Sequence, residues 1–385
     1  MSKTIVLITG ASGFLGKNLQ AFLRLRPDVQ VMGCDIDSLP EIREKGLQEA
    51  HVIFHLAGIN RPERVEEFER GNTGLTTEIC ERLQALKRTP TIVFSSSIQA
   101  NLDNSYGVSK RKAEEKLCSF GKQSGARVII FRFQNVFGKW CRPNYNSVVA
   151  TFCYNIAHDL PISVSDPTRQ LNLIYVDDVC RAMIQAAGLR PIDAEARDSH
   201  NVDAQGFAKV IPDFTITLGG LVEAIHSFQD CRNTLQVPSF NDPLIKRLYA
   251  TFLSYLDDTN FAYNLDTKTD NRGSLVEILK APSFGQIFVS QTKSGITRGN
   301  HYHHTKTEKF LVIQGKAVVR LRNVLEDKII EYFTKAEDYK VIDIPPGYTH
   351  SIENVGEEEL ITLFWANEVF DPKQPDTFFE KVLLE

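Results

Sequence analysis

The stretch VLITGASGFLG, residues 6–16, decides how the front of this chain is read. An apolar run from Ile5 to Ile8 ends at Thr9-Gly10, and a helical pattern runs from Phe14 to Arg26. Gly10, Gly13 and Gly16 lie where the two meet. Glycines at this spacing let the backbone turn tightly and approach a pyrophosphate, whose charge then rests on the amides of a helix N-terminus. A glycine triplet alone is weak evidence. Between a strand and a helix it points to a dinucleotide site.

Working outward, VQVMGCD, HVIFHLAG, TIVFSSS and RVIIFRFQNVFG read as further strands, with a helix around Thr76 to Leu86. This alternation predicts an α/β Rossmann-type parallel sheet with helices on both faces. From Leu189 to Phe214 the pattern is polar and reads as loops, before the helix TLGGLVEAIHSF with Thr217 as its cap. After a last helix, PLIKRLYATFLSYL, the character changes. GSLVEIL, GQIFVSQT, EKFLVIQGKAVVRLR, KIIEYF and ELITLFWA read as strands divided by turn residues, which predicts an all-β barrel or sandwich. A chain of 385 residues is long for one core. The expected division is 1–250 and 251–385.

A net charge of −4 excludes a basic field for nucleic acid or an anionic membrane. No apolar stretch approaches a membrane span, and Ile5–Ile8 is too short for an export signal. The seven cysteines show no paired spacing, so no disulfide framework is expected and a cytoplasmic location is.

SYGVSK places Tyr106 and Lys110 four residues apart, on one face of a helix. A phenol near pKa 10 serves poorly in proton transfer at neutral pH unless a cation stabilises its phenolate, and Lys110 offers that charge. The preceding FSSS offers hydroxyls for a carbonyl oxygen. Asp35 ends the second strand about 20 residues past the glycines, where a carboxylate bonds both ribose hydroxyls and repels a 2′-phosphate. Residue chemistry therefore favours NADH.

GNHYHHTKTE, from Gly299, raises a second question. On a strand His301 and His303 share a face, while Tyr302 and His304 share the other. Glu308 follows, and His350 comes after the turn at Pro345-Pro346-Gly347. Three imidazoles and a carboxylate suit a divalent transition metal, zinc first.

TGASGFLG, HLAG, FSSS and YGVSK together resemble an extended short-chain dehydrogenase/reductase of the branch acting on nucleotide-sugars. The resemblance implies a cofactor site at Gly10, Gly13, Phe14, Gly16, Asp35, Ala57 and Lys110. It makes Tyr106 the acid/base and Lys110 its positioning partner, with Ser97 on the carbonyl and Ser96 as fallback. Gly295, His301, His303, Glu308 and Gly315 match the first cupin motif; Pro345, Gly347, His350 and Asn354 match most of the second. With SSSIQA, FGKWCRPNYNSVVATFCY, GYTHSIENVG and FDPKQPDTFF, the whole chain resembles the bifunctional capsular-polysaccharide enzymes. That implies C3 epimerisation of a UDP-4-keto-6-deoxy amino sugar by the cupin, with His301 catalytic as well as metal-binding. Reduction at C4 then gives UDP-2-acetamido-2,6-dideoxy-L-talose. It further implies substrate contacts at Asn135, Arg142 and Arg298, a homodimer, and NADPH, so the donor stays open between NADH and NADPH. The alternative is a 4-ketoreductase whose cupin is a structural dimerisation module.

Overall fold

The computed structural model describes residues 3–190 and 200–384. Ten strands form the front: β1 (Thr4–Thr9), β2 (Val29–Cys34), β3 (Val52–His55), β4 (Thr91–Ser97), β5 (Val128–Phe133), β6 (Asn135–Phe137), β7 (Gln170–Tyr175), β8 (His200–Val202), β9 (Phe207–Val210) and β10 (Phe214–Thr217). Seven make one sheet in the order β2-β1-β3-β4-β5-β9-β8, parallel except for the β8–β9 pair. Alternate residues enter two cores. Val6, Ile8, Phe54, Val93 and Phe131 pack under the helices Phe14–Leu23 and Val176–Ala186. Leu7, Ile53, Ile92, Phe94 and Ile130 pack under Pro40–Glu49, Leu75–Ala85 and Ser105–Ser124. Burial on both faces explains why these strands read as continuous apolar runs. The order reverses between β1 and β3, and the crevice beyond the carboxyl ends of those strands is where such sheets bind ligands.

The polar region from Leu189 to Phe214 was expected to be loops, yet its described part holds β8 and β9 and ends where β10 begins. The part of that reading on residues 191–199 lies outside the described residues. RVIIFRFQNVFG is two strands, because the chain leaves the large sheet at Gln134 and β6 joins β10 and β7 in a second one. Thr217 does cap its helix: its hydroxyl accepts the Gly220 amide at 3.1 Å.

The remainder is antiparallel β-structure: β11 (Thr267–Asp270), β12 (Gly273–Ala281), β13 (Gly285–Thr292), β14 (Thr297–Tyr302), β15 (Glu308–Gln314), β16 (Lys316–Asn323), β17 (Ile329–Lys335), β18 (Val341–Ile344), β19 (Tyr348–Asn354), β20 (Leu360–Ala366) and β21 (Phe378–Phe379). They form a six-stranded sheet, β11-β12-β13-β20-β15-β18, and a five-stranded one, β17-β16-β19-β14-β21. Phe310, Val312, Val319, Leu321, Ile352 and Phe364 fill the space between them.

Where the sequence suggests one cut near 250, contacts divide the chain by an exchange of segments. One compact unit is 1–225 with 247–256; the other is 226–246 with 257–385. Arg247 explains the return of the second segment, donating to the buried Asp178 carboxylate at 2.8 Å. Tyr255 adds a hydrogen bond to the Cys141 carbonyl at 2.6 Å. Leu235 and Val237 explain the first, through backbone bonds of 2.8 and 3.0 Å to Lys280.

Candidate active site and metal centre

The glycine turn is shaped for close backbone approach. Gly10 has φ +73°, and a Cβ there would meet the Ala57 amide nitrogen at 2.7 Å. At Gly16 it would meet the Gly10 carbonyl oxygen at 2.2 Å, so only glycine lets the helix Phe14–Leu23 start against the turn. Gly13 precedes that helix with no side-chain cap, leaving amides for a phosphate. Asp35 lies one residue past β2, and its carboxylate accepts the Ser12 amide at 2.9 Å and hydroxyl at 2.7 Å. The acid expected at the cofactor ribose is thus fixed to the turn itself, whereas Asp37 is exposed.

Asn104 caps the helix Ser105–Ser124 by accepting the Gly107 amide at 2.8 Å. At Gly107 a Cβ would lie 2.1 Å from the Gln99 carbonyl, so this glycine sets how close the helix comes to the end of β4. Tyr106 and Lys110 then face the same way. Burial raises the Tyr106 phenol above its ordinary value, and a hydrogen bond with Ser97 works against that rise. The lowering expected from Lys110 does not dominate here. Lys110 is buried, donates to the Ser95 carbonyl at 3.0 Å, and is pushed down to about 8 by burial, with Glu114 working the other way. Ser96 is buried against Glu114, which Arg132 also holds, so it belongs to a structural network.

Sequence reasoning missed two supporting groups. Buried His55 joins Thr9 (2.7 Å) to Thr76 (2.9 Å). Asn72, in the π-helical turn Glu69–Gly74, receives the Ile59 amide at 2.9 Å and donates to Ser109 Oγ at 2.9 Å. π-turns gather at functional sites. Asn135 is exposed on β6 and donates to the Asn172 carbonyl at 3.0 Å. Arg142 stacks on Tyr145 at 5.1 Å, and Arg61 reaches the same ring at 5.6 Å.

In the second unit, one donor atom each from His301, His303, Glu308 and His350 lies within 4.8 Å of the others. His303 and His350 are fully buried, Glu308 nearly so, and His301 half-buried. The Nε2 atoms of His303 and His350 approach Glu308 Oε2 to 3.6 and 3.3 Å but have no hydrogen-bond partner. Orphaned buried donors or acceptors cost about 1–3 kcal/mol each. A divalent cation at their meeting point satisfies them all, and the residues fit one. Burial pushes the Glu308 carboxyl up, but the two imidazoles facing it reverse that and hold it well below the usual range. His301 is held down to about 4 by burial, with His350 adding to the effect, so at neutral pH its imidazole is neutral. His303 Nδ1 donates to the Asp376 carbonyl at 2.5 Å, which leaves Nε2 as the free lone pair. His304 faces away onto Phe378 and Tyr302, as the strand alternation predicts. Arg298 stays on β14, donating to Thr292 Oγ1 at 2.9 Å.

Residues 6–191 match the NAD dependent epimerase/dehydratase family, and residues 268–378 match the polysaccharide biosynthesis C-terminal domain. The UDP-2-acetamido-2,6-beta-L-arabino-hexul-4-ose reductase of Pseudomonas aeruginosa is 42% identical over 377 residues, 97% of each chain. This chain belongs to the family of bifunctional capsular-polysaccharide enzymes. The crystal structure of the capsular polysaccharide assembling protein CapF from Staphylococcus aureus is 44% identical, with a TM-score of 0.89 over 98% of this chain and 100% of that one. A UDP-N-acetylglucosamine 4-epimerase from Methanobrevibacter ruminantium, 20% identical with a TM-score of 0.53 over 66% of this chain, shares the fold of the front half. Family membership makes the chain an NAD(P)-dependent enzyme with a Rossmann reductase unit and a cupin unit. Among the described residues no helix is long and apolar enough to cross a membrane.

Proposed function

We propose that the chain is a two-site enzyme acting on a UDP-linked 4-keto-2-acetamido-2,6-dideoxyhexose. The cupin unit epimerises C3, and the reductase unit then reduces the C4 ketone to give UDP-2-acetamido-2,6-dideoxy-L-talose. The observation that carries this reading is the presence of two complete sets of reacting groups, one in each unit: Tyr106 with Ser97 and Lys110, and the convergent quartet around Glu308.

For reduction, NAD(P)H supplies hydride to C4 when bound. Ser97, already bonded to Tyr106, holds the ketone oxygen. Tyr106 gives its proton to that oxygen as it becomes an alcohol. Lys110 anchors the cofactor ribose beside it. Arg61 and Arg142 share the Tyr145 ring, and the UDP diphosphate is the anion that suits two guanidinium groups brought together. Asn135 supplies an exposed amide for the sugar nucleotide.

For epimerisation, His301, His303, Glu308 and His350 would hold a zinc ion, which would supply Lewis-acid charge to a bound keto group. A base takes the proton next to the ketone from C3, and an acid returns one to the opposite face. His301 is the half-buried member of the quartet, so C3 approaches from its side, with Arg298 as a further substrate contact. Because UDP-sugars and nicotinamide cofactors are cytoplasmic, the reaction belongs there.

The test is solvent exchange. Metal-loaded full-length protein, the UDP-4-keto sugar and D2O, without nicotinamide, are expected to give deuterium at C3; an unlabelled C3 rejects the epimerase half. The near-complete burial of His303, His350 and Glu308 favours a second reading, a closed structural metal site, and that outcome would select it.

A further inference from the structure

After β20 the chain runs back to the metal quartet as a C-terminal strap. We propose that this strap, acting through Asp376, is a positioning device that sets the metal affinity of the cupin unit; the inference rests on the metal reading above.

Both ends of Asp376 are engaged with the ligand-bearing loop. Its main-chain carbonyl accepts the Nδ1–H of His303 at 2.5 Å, which fixes the ring's tautomer and rotation. Its carboxylate accepts the amides of His304 (2.9 Å), Thr305 (2.7 Å) and Lys306 (2.8 Å), and the Thr305 hydroxyl at 3.0 Å. Those amides belong to the turn that carries the chain from His303 to Glu308. One residue thus orients one ligand and closes the turn between two.

The strap is itself held down. Phe378 and Phe379 pair with Tyr302 and His301 on β14. Buried Arg322 donates to the Glu380 carboxylate at 2.7 Å and to the Lys381 and Val382 carbonyls at 2.9 and 3.1 Å. Groups that orient metal-bound imidazoles typically change affinity by about 10–100-fold when removed.

The experiment is zinc titration of metal-free full-length protein against a competing chelator, with the cobalt-substituted visible spectrum recorded alongside. Asp376→Ala should bind zinc about 10–100-fold more weakly and show an altered cobalt band. Both variants keep the main-chain carbonyl that bonds His303; Asp376→Asn also keeps one acceptor oxygen for the turn amides and should recover part of that loss. Wild-type affinity and spectrum in a folded Asp376→Ala protein overturn the inference, even if its metal-free form melts earlier. Should Asp376→Ala fail to fold, Asp376→Asn decides: a loss of at least about threefold is expected, and unchanged affinity overturns the proposal. A wild type that binds neither zinc nor cobalt rejects the metal reading itself. Binding by wild type with equal binding by the variant rejects only the strap.

Discussion

His301 stands directly opposite His350 in the pairing of β14 with β19, because Asn300 is an extra residue in the first strand. The register runs Arg298 to Ile352 and Gly299 to Ser351, then skips to His301 and His350. Asn300 makes the skip with φ +58°, a region that β-branched residues avoid. It is pinned there, since its carbonyl accepts the Glu380 amide at 2.9 Å and its side chain the Val382 amide at 3.2 Å. Asn300→Val should therefore destabilise the cupin unit by about 1–3 kcal/mol and lower metal content. Asn300→Gly should keep both closer to normal. Metal analysis and thermal melts check this, and equal metal content in the Val variant contradicts it.

Tyr106→Phe removes the proton donor and leaves the glycine turn untouched. Turnover of the ketone should fall by at least about 10²-fold, the scale of a general acid, while nicotinamide binding survives. Stopped-flow reduction and cofactor titration measure the two separately. Near-normal reduction would take Tyr106 out of the mechanism.

Lys110 makes a pH prediction with a definite sign. Its folded value of about 8 lies below the ordinary 10.5, so between those values the unfolded chain holds a proton the folded chain has lost. Stability from this group therefore rises with pH through that window, and the burial penalty is complete below it. Lys110→Met should stabilise the cofactor-free reductase unit at pH 7 by roughly 3 kcal/mol and flatten the slope between pH 8 and 10.5. It should also abolish reduction. Denaturant melts at several pH values test it; an unchanged slope counts against a buried, charged Lys110.

Asp35→Ser removes a carboxylate that lies beside the glycine turn through Ser12. The ratio of kcat/KM for NADH over NADPH should fall by about 10-fold, because the repulsion of a 2′-phosphate goes with it. A ratio that does not move would mean that Asp35 serves the turn and never meets the ribose.

The features legible in the sequence are those whose physics is local. Gly10, Gly13 and Gly16 betray a tight strand-to-helix turn, because contacts 2.7 and 2.2 Å from an imagined Cβ leave room for nothing else at Gly10 and Gly16. Tyr106 and Lys110 share a face because a helix repeats every 3.6 residues, and His301 and His303 because a strand repeats every two. β8 and β9 escaped the reading of Leu189 to Phe214 as loops because they are only three and four residues long, too short for a strand period to stand out.

Tertiary structure alone decided the rest. Nothing near Asp376 announces that its carbonyl fixes His303, 73 positions earlier, or that Arg61 and Arg142 meet on one tyrosine. The exchange of residues 226–246 and 247–256 between the units was equally hidden, since it depends on Arg247 finding Asp178. Ser97 was already preferred to Ser96 on the motif, but that Ser96 is taken up by Glu114 shows only in the fold. Sequence by itself determined the two folds, the glycine turn and the pairing of His301 with His303 on one face, because helix and strand periods write those patterns into neighbouring residues. Partners brought together by sheet order leave no such period, and only the folded chain could name them.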